Sequence, residues 1–321
     1  MASTSTSATT TAPETDVSRR RSPRAPKRTG LARARRRETG VALLFLAPAL
    51  FGFLAFYAWP TVRGFYLSFT DYDLLTGPKF TGLDNYRRMI DDGVFWNSLR
   101  VTLEYVVINI AAQTVVALAL AVLIHRLTTS VVLRGAILLP YLVSNVVVAL
   151  VWYWMADYNL GVINSVLGWI GIAPQGFFGD SDLAIPTIAL VNTWRFMGYT
   201  ALLLFAGLQM IPRHVYEAAS LDGASEWRTF FSVTLPLLRP VLALVLVLDV
   251  IGSWQIFDTV AVTTKGGPVN ATRVIQYYIY DQAFTRFSFG YASAMAVALF
   301  VILVGLAVAQ LKLLRAGDSD Q

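Results

Sequence analysis

Residues able to carry covalent chemistry are scarce in this chain of 321 residues. It has no cysteine, which removes thiol nucleophiles, disulfides and cysteine metal sites, and only two histidines, His125 and His214. No G-x-x-x-x-G-K-[ST] loop is present to cradle a nucleotide triphosphate, so any use of ATP must fall to another chain. What remains is a set of ionisable residues embedded in apolar sequence: Glu104, Arg195, Asp249 and Asp258. A charge at membrane depth costs about 2.5–3.5 kcal/mol on insertion scales, so each is a candidate for pairing, substrate contact or ion coupling. Arg195 with Asp249 fits a structural ion pair, whereas Asp249, Asp258 or Glu104 fits the proton or sodium site of an ion-coupled secondary transporter. Two clusters of aromatic and hydrogen-bonding residues accompany these charges, Asn192, Trp194, Arg195 and Tyr199 in one, Trp254, Gln255, Phe257 and Asp258 in the other. Asn109, Gln113 and Asn145 add further polar groups. All of them fit helix–helix hydrogen bonding equally well, at roughly 0.6 kcal/mol apiece.

The elements that must position these groups follow from composition. Hydrophobic residues make up 55% of the chain and charged residues 14%, with a mean hydropathy of +0.55; a soluble domain carries about 25% charged residues. Such a chain is an all-α membrane protein, and a soluble enzyme is excluded. A hydrocarbon core about 30 Å thick needs about 20 apolar residues per helix. Six stretches qualify, at approximately 41–62, 99–124, 135–156, 184–208, 241–262 and 288–311. Residues 1–40 hold ten Lys/Arg against Glu14, Asp16 and Glu38, in a Ser/Thr/Pro/Ala-rich context. They read as a disordered basic cytoplasmic tail that touches anionic lipid, and the absence of an aromatic residue argues against nucleic acid. Most of the 26 Lys and Arg fall in this tail, in loops 125–134 and 209–240 and in the tail 312–321, which predicts that both termini are cytoplasmic. Tyr57 and Trp59, and Trp152, Tyr153 and Trp154, then sit at the outer interface. The short apolar piece Leu160 to Ile172 cannot span and reads as an interfacial or re-entrant helix.

The fourth and fifth stretches are separated by about thirty residues, where membrane helices are normally joined by short loops. Pro212 starts a helix through Val215-Tyr-Glu-Ala-Ala-Ser-Leu221, and Gly223 stops it in a left-handed turn that costs glycine little. Ser225 caps a second helix with Trp227, Phe230, Phe231 and Val233 on one face, which Pro236 and Pro240 are expected to end. The result is a helix–turn–helix elbow.

Glu217-Ala218-Ala219, Gly223 six residues after the Glu, and Val233-x-Leu235-Pro236 resemble the EAA loop of permease subunits in binding-protein-dependent ABC importers. The likeness continues through Asn192-x-Trp194, Gly207-Leu-Gln-Met-Ile-Pro212, Phe257-Asp258, Thr264-x-Gly266-Gly267-Pro268, Tyr280-x-x-x-Phe284, Gly290-Tyr-Ala-Ser-Ala294 and the earlier Phe80-Thr-Gly82-x-x-Asn85-Tyr86. It covers most of residues 41–311 and extends to the sugar and glycerophosphodiester-type permeases, more to the first subunit of the pair (the maltose-type F subunit) than to the second; Val233 in place of the usual isoleucine is a mild departure. The resemblance implies six spans in a permease domain 41–311, with a coupling helix in the loop 211–236 between spans four and five. Glu217, Ala218, Ala219, Asp222, Gly223, Leu235 and Pro236 would then meet a separate ATPase dimer, which uses ATP and Mg. This chain would bind no cofactor or metal and perform no catalysis. The other implied partners are a second homologous permease and an extracytoplasmic binding protein docking near Gly266, Gly267 and Pro268, a segment that a simple turn explains equally well. The implied cargo is a sugar or related polyol and the implied location the cytoplasmic membrane of a bacterium. A sugar requires an aromatic face and amide, carboxylate or guanidinium partners for its hydroxyls near the midplane. Asn192, Arg195, Tyr199, Asp249, Trp254, Gln255 and Asp258 are the candidates for that role.

Overall fold

The computed structural model describes residues 28–127 and 130–316. Most of the basic tail therefore lies outside the described residues, as does the end of the C-terminal tail. From Arg28 the backbone is already helical, so the helix of the first span begins inside the stretch read as tail. Two units partition the chain, residues 1–60 and 61–321. The first carries α1 (Arg28–Phe53) and a π turn at Leu54–Ala58, which runs on into α2 (Trp59–Leu67).

The second unit continues with a two-stranded antiparallel pair, β1 (Thr70–Asp71) and β2 (Lys79–Phe80), Thr70 opposite Phe80. Then come α3 (Asp84–Asp91), the 35-residue α4 (Gly93–Leu127), α5 (Val131–Leu142), α6 (Asn145–Met155), α7 (Val162–Trp169) and α8 (Ala184–Leu208). The elbow follows as α9 (Arg213–Leu221) and α10 (Glu226–Thr229), joined through a π turn at Phe230–Thr234 to α11 (Leu235–Trp254). Last are α12 (Asp258–Val262), α13 (Ile275–Tyr280), a π turn at Asp281–Thr285 and α14 (Phe289–Ala316).

Five helical stretches are long and apolar enough to cross a membrane: Val41–Leu67, Gly93–Leu127, Ala184–Leu208, Glu226–Val262 and Phe289–Lys312. The third expected span is instead a broken pair, α5 and α6, bent by 86°. Val143 (φ −75, ψ 143) and Ser144 (φ −54, ψ 135) leave the helical region there, three residues after Pro140. Pro236 and Pro240 do not end the second elbow helix; α11 begins one residue before Pro236 and runs through Pro240. Pro236 falls in the first turn of α11, just after the π turn, where proline's missing N–H has no intrahelical acceptor, whereas Pro240 lies inside the helix.

At the centre α4 packs along α8, with α11 against both. Small residues permit the approach: Ala117, Ala121 and Ala201 are fully buried between Ile124, Leu204, Leu208 and Leu238. A larger cluster toward the other end holds Phe95, Tyr105, Ile185, Ile188, Trp254, Ile275, Tyr291 and Met295. A buried polar network stitches the same helices. Asn109 Nδ2 donates to Gln113 Oε1 (3.3 Å) and Ser253 Oγ (3.1 Å), Gln113 Nε2 to Thr200 Oγ1 (2.9 Å), and Thr193 Oγ1 to Asn109 Oδ1 (3.4 Å). Asn192 donates to the Tyr105 hydroxyl at 2.9 Å and accepts from Thr259 at 3.0 Å.

α5 approaches α8 closest at Gly198, where a Cβ would collide with the Ile137 carbonyl. Overpacking of this kind costs about 1–3 kcal/mol. Gly198→Val is expected to lower the monodisperse fraction recovered in mild detergent, whereas Gly252→Ala, with open space at its Cβ position, leaves recovery unchanged.

Candidate functional site

The break between α5 and α6 frees backbone carbonyls that a continuous helix would have used. Arg195, on α8, takes them: its Nη2 donates to the carbonyls of Tyr141 and Val143, both at 3.3 Å. The guanidinium also lies over the rings of Phe196 (4.7 Å) and Tyr141 (5.5 Å), and Tyr141 stacks on Tyr199 with ring centroids 4.6 Å apart. Arg195 thus answers the helix break, and among the described residues no ion pair joins it to Asp249. Asn145, the first residue of α6, donates from Nδ2 to Asp258 Oδ2 at 2.9 Å, and Asp258 is the first residue of α12. Two helix starts therefore meet through this side-chain bond.

Several polar atoms around this junction are unspent. Arg195 Nε and Asn145 Oδ1 are buried with no hydrogen-bond partner, while Gln255, in the gap between α11 and α12, is exposed. A guanidinium, an amide, a carboxylate and stacked tyrosines thus meet at one junction, with Arg195 Nε and Asn145 Oδ1 enclosed by protein. The other candidates sit differently. Asn192 is buried and committed to Tyr105 and Thr259, Trp254 is buried in the larger core cluster, and Trp194 packs edge-on against Trp152 at 5.6 Å. Asp249 is half-buried on α11 with its Oδ2 unpartnered. Glu104 lies on an exposed face of α4.

In the elbow, α9 ends where Gly223 turns at φ +71, a conformation that costs other L-residues about 1–2 kcal/mol. Ser225 caps α10, its Oγ accepting from the Arg228 amide at 3.4 Å. Ala219 is buried on the inner side of α9, while Glu217, Ala218, Asp222 and Gly223 are exposed. Leu221 is 90% exposed and Trp227 75%, an apolar tip that water alone would not favour. Leu235 and Pro236 lie at the start of α11, partly buried.

Composition gave no warning of a second polar knot at the start of α4. Asp92 Oδ1 caps that helix by accepting from the amides of Val94 (2.9 Å) and Phe95 (3.3 Å), while Oδ2 accepts from the hydroxyls of Tyr278 and Tyr291, both at 2.6 Å. Burial pushes the Asp92 carboxyl up, but these four donors outweigh it and hold it below the ordinary carboxylate range. Burial and the adjacent carboxylate push Tyr278 up to about 12. The signal available in the sequence was an Asp immediately before a long apolar helix. Nearby, Asn85 Nδ2 donates to the carbonyls of Ser68 (3.0 Å) and Thr70 (2.8 Å), and Gly82 turns at φ +64, which accounts for the spacing Gly82-x-x-Asn85-Tyr86. In the loop after α12, Thr272 Oγ1 bonds Thr264 Oγ1 and the Gly267 carbonyl, both at 2.7 Å. That closure leaves Gly266 (φ +84) buried and Gly267 and Pro268 half-buried, with the 94% exposed Val269 at the tip.

The chain thus combines long apolar helices, one bent pair at a polar junction and an elbow between two of the long helices. Residues 113–314 match the family described as binding-protein-dependent transport system inner membrane component, and the chain belongs to that family. It is an inner-membrane, multi-pass permease component of ABC importers, a family that is not itself catalytic. The trehalose/maltose transport system permease protein MalF of Thermococcus litoralis is 34% identical over 281 residues, covering 87% of this chain and 95% of that protein. The lactose transport system permease protein LacF of Rhizobium radiobacter is 35% identical over 279 residues, covering 83% and 91%. A crystal structure of a bacterial ABC transporter that imports alginate shares the fold, with a TM-score of 0.78 at 21% identity, covering 89% of this chain and 99% of that one.

The Asp92 knot generates a pH prediction. A depressed carboxyl contributes stability that is present above its unfolded value of about 3.9 and lost as pH falls through the lower folded value. The melting temperature in detergent is therefore expected to be flat from neutral pH to about 5 and to fall below it, and Tyr278→Phe should cost about 1.5–3 kcal/mol at neutral pH.

Proposed function

We propose that this chain is one of two homologous permease subunits of an ATP-driven importer that receives a sugar or related polyol from an extracytoplasmic binding protein. Both termini and the elbow 211–236 then face the cytoplasm, in keeping with the distribution of Lys and Arg. The elbow docks on a separate ATPase dimer that uses ATP and Mg, with Glu217, Ala218, Ala219, Asp222, Gly223, Leu235 and Pro236 forming or shaping the contact. The observation carrying this reading is the exposed apolar tip of a rigid helix–glycine–helix between two spans, in a chain of the binding-protein-dependent family. Relatives named for trehalose/maltose and lactose transport support a sugar cargo.

On this reading the cargo passes the junction of α6, α8 and α12. Arg195, Asn145, Asp258 and Gln255 offer hydrogen bonds to its hydroxyls and Tyr141 and Tyr199 an aromatic face, while Asn192 and Trp254 hold the wall behind them. Asp249 marks the same route along α11. The turn at Gly266, Gly267 and Pro268, which carries the exposed Val269, meets the binding protein. Swinging an inward/outward equilibrium from 1:99 to 99:1 requires about 5.5 kcal/mol of differential binding, supplied by ATP on the partner subunits and by the loaded binding protein. The elbow conveys it to the spans.

Uptake of labelled maltose, trehalose and lactose into proteoliposomes holding the full complex tests the assignment. Uptake is expected to require internal-face ATP and to survive collapse of the ion gradients; uptake driven by a gradient without ATP would instead favour an ion-coupled transporter. Gly223→Val, at a cost of about 1 kcal/mol or more, should reduce uptake while insertion into the membrane persists. Normal uptake by that variant would contradict the role given to the elbow.

A further inference from the structure

The elbow is fastened to the span bundle at one charged point. Arg126, in the last turn of α4, donates from Nη1 to Glu226 Oε2 at 2.6 Å, across 100 residues of sequence. Glu226 opens α10, three residues beyond Gly223. Each charge stands at the helix end its dipole favours, the cation at a C-terminus and the anion at an N-terminus. Among the described ion pairs, the others are an i,i+3 contact within α3 and two contacts around Asp281.

What surrounds the pair makes it informative. Beside it lies a narrow cleft lined by Val122, His125, Leu208, Tyr216, Phe230 and Thr234, next to the point where Tyr216 of the elbow packs on the apolar cluster of Ile124, Leu204, Leu208 and Leu238. The His125 ring, against Phe205 at 6.2 Å and Tyr216 at 6.4 Å, makes a second bridge across the same gap. The side chains of Arg126 and Glu226 are 41% and 82% exposed, and pairs of that exposure are worth little to stability. Position is what the pair can supply. α4 runs from this pair, past Gln113 and Asn109 in the buried network, to the Asp92 knot at its other end. A displacement of α10 pulled through Arg126 therefore reaches the helix on which the polar network is built.

We propose that Arg126 and Glu226 form a tether that transmits movement of the elbow to α4, as positioning residues for transport. This rests on the reading of 211–236 as the ATPase contact. Without the tether α4 would follow the elbow less closely, and ATP hydrolysis would proceed with less movement of the spans.

The chain has no native cysteine, so one introduced at Gln255 reports the pathway in the complete importer complex. The readout is the change in its maleimide labelling rate on trapping with ATP, Mg and vanadate, measured beside the ATP hydrolysis rate. Arg126→Gln, outside the elbow, is expected to assemble normally and hydrolyse ATP at the parent rate but to show a labelling change about fivefold smaller, the lower end of ordinary allosteric coupling, and Glu226→Gln to show the same reduction in labelling change. The exchanged pair Arg126→Glu with Glu226→Arg should recover most of it, which a merely structural loss would not. A labelling change in both single variants equal to the parent's, or an exchanged pair no better than the singles, overturns the tether. A parent complex with no ATP-driven change overturns the importer reading itself and the tether with it.

Discussion

Hydrocarbon offers no hydrogen bonds, so each polar group carried into the spans must be satisfied by protein. This constraint organises the bundle more than apolar packing does, since lipid is as apolar as leucine and gives helices little reason to associate. The network of Asn109, Gln113, Thr193, Thr200 and Ser253, extended by Tyr105, Asn192 and Thr259, ties α4 to α8, α11 and α12. Alanines at the α4–α8 contact allow the approach that those bonds require. The Asp92 knot repeats the solution at the start of α4, joining it to α13 and α14.

The same constraint explains why the polar junction is informative. A helix break at depth leaves unpaired carbonyls and amides, and the fold answers with Arg195 on one side and the Asn145–Asp258 pair on the other. These partners satisfy the backbone incompletely, leaving Arg195 Nε and Asn145 Oδ1 unbonded. Discontinuous helices meeting near the middle of a bundle are a recurrent way to build a transport site, because helix starts and free carbonyls are already polar. Under the proposed function, this polar junction lies on the route of the sugar.

Much of this was legible in the residues. Apolar stretches of about 20 residues located the spans because lipid enforces length, and Gly223 predicted its own left-handed turn because few other residues adopt one cheaply. The fourth span was read as 184–208, the bounds of α8. The break after Leu142 was not legible, since Pro140 within an apolar run signals either a kink or a tolerated irregularity, and Arg195, which decides it, lies far away in sequence. Pro236 and Pro240 misled for a related reason: Pro236 falls in a first turn, just after a π turn, and the helix runs on through Pro240. Among site residues, polarity alone could not separate Asn192, which is spent on helix contacts, from Asn145, which faces the junction, because that distinction is made by neighbours on other helices.

The account depends most on the elbow being covered by an ATPase subunit, and its exposed tip offers the most direct measurement. With no native cysteine in the chain, Leu221→Cys can be labelled with a water-soluble maleimide in inside-out membranes, with and without the ATPase subunit. The account predicts rapid labelling of the permeases alone and strong protection once the ATPase is bound. Labelling at the same rate in both, or only from the opposite face of the membrane, would contradict it.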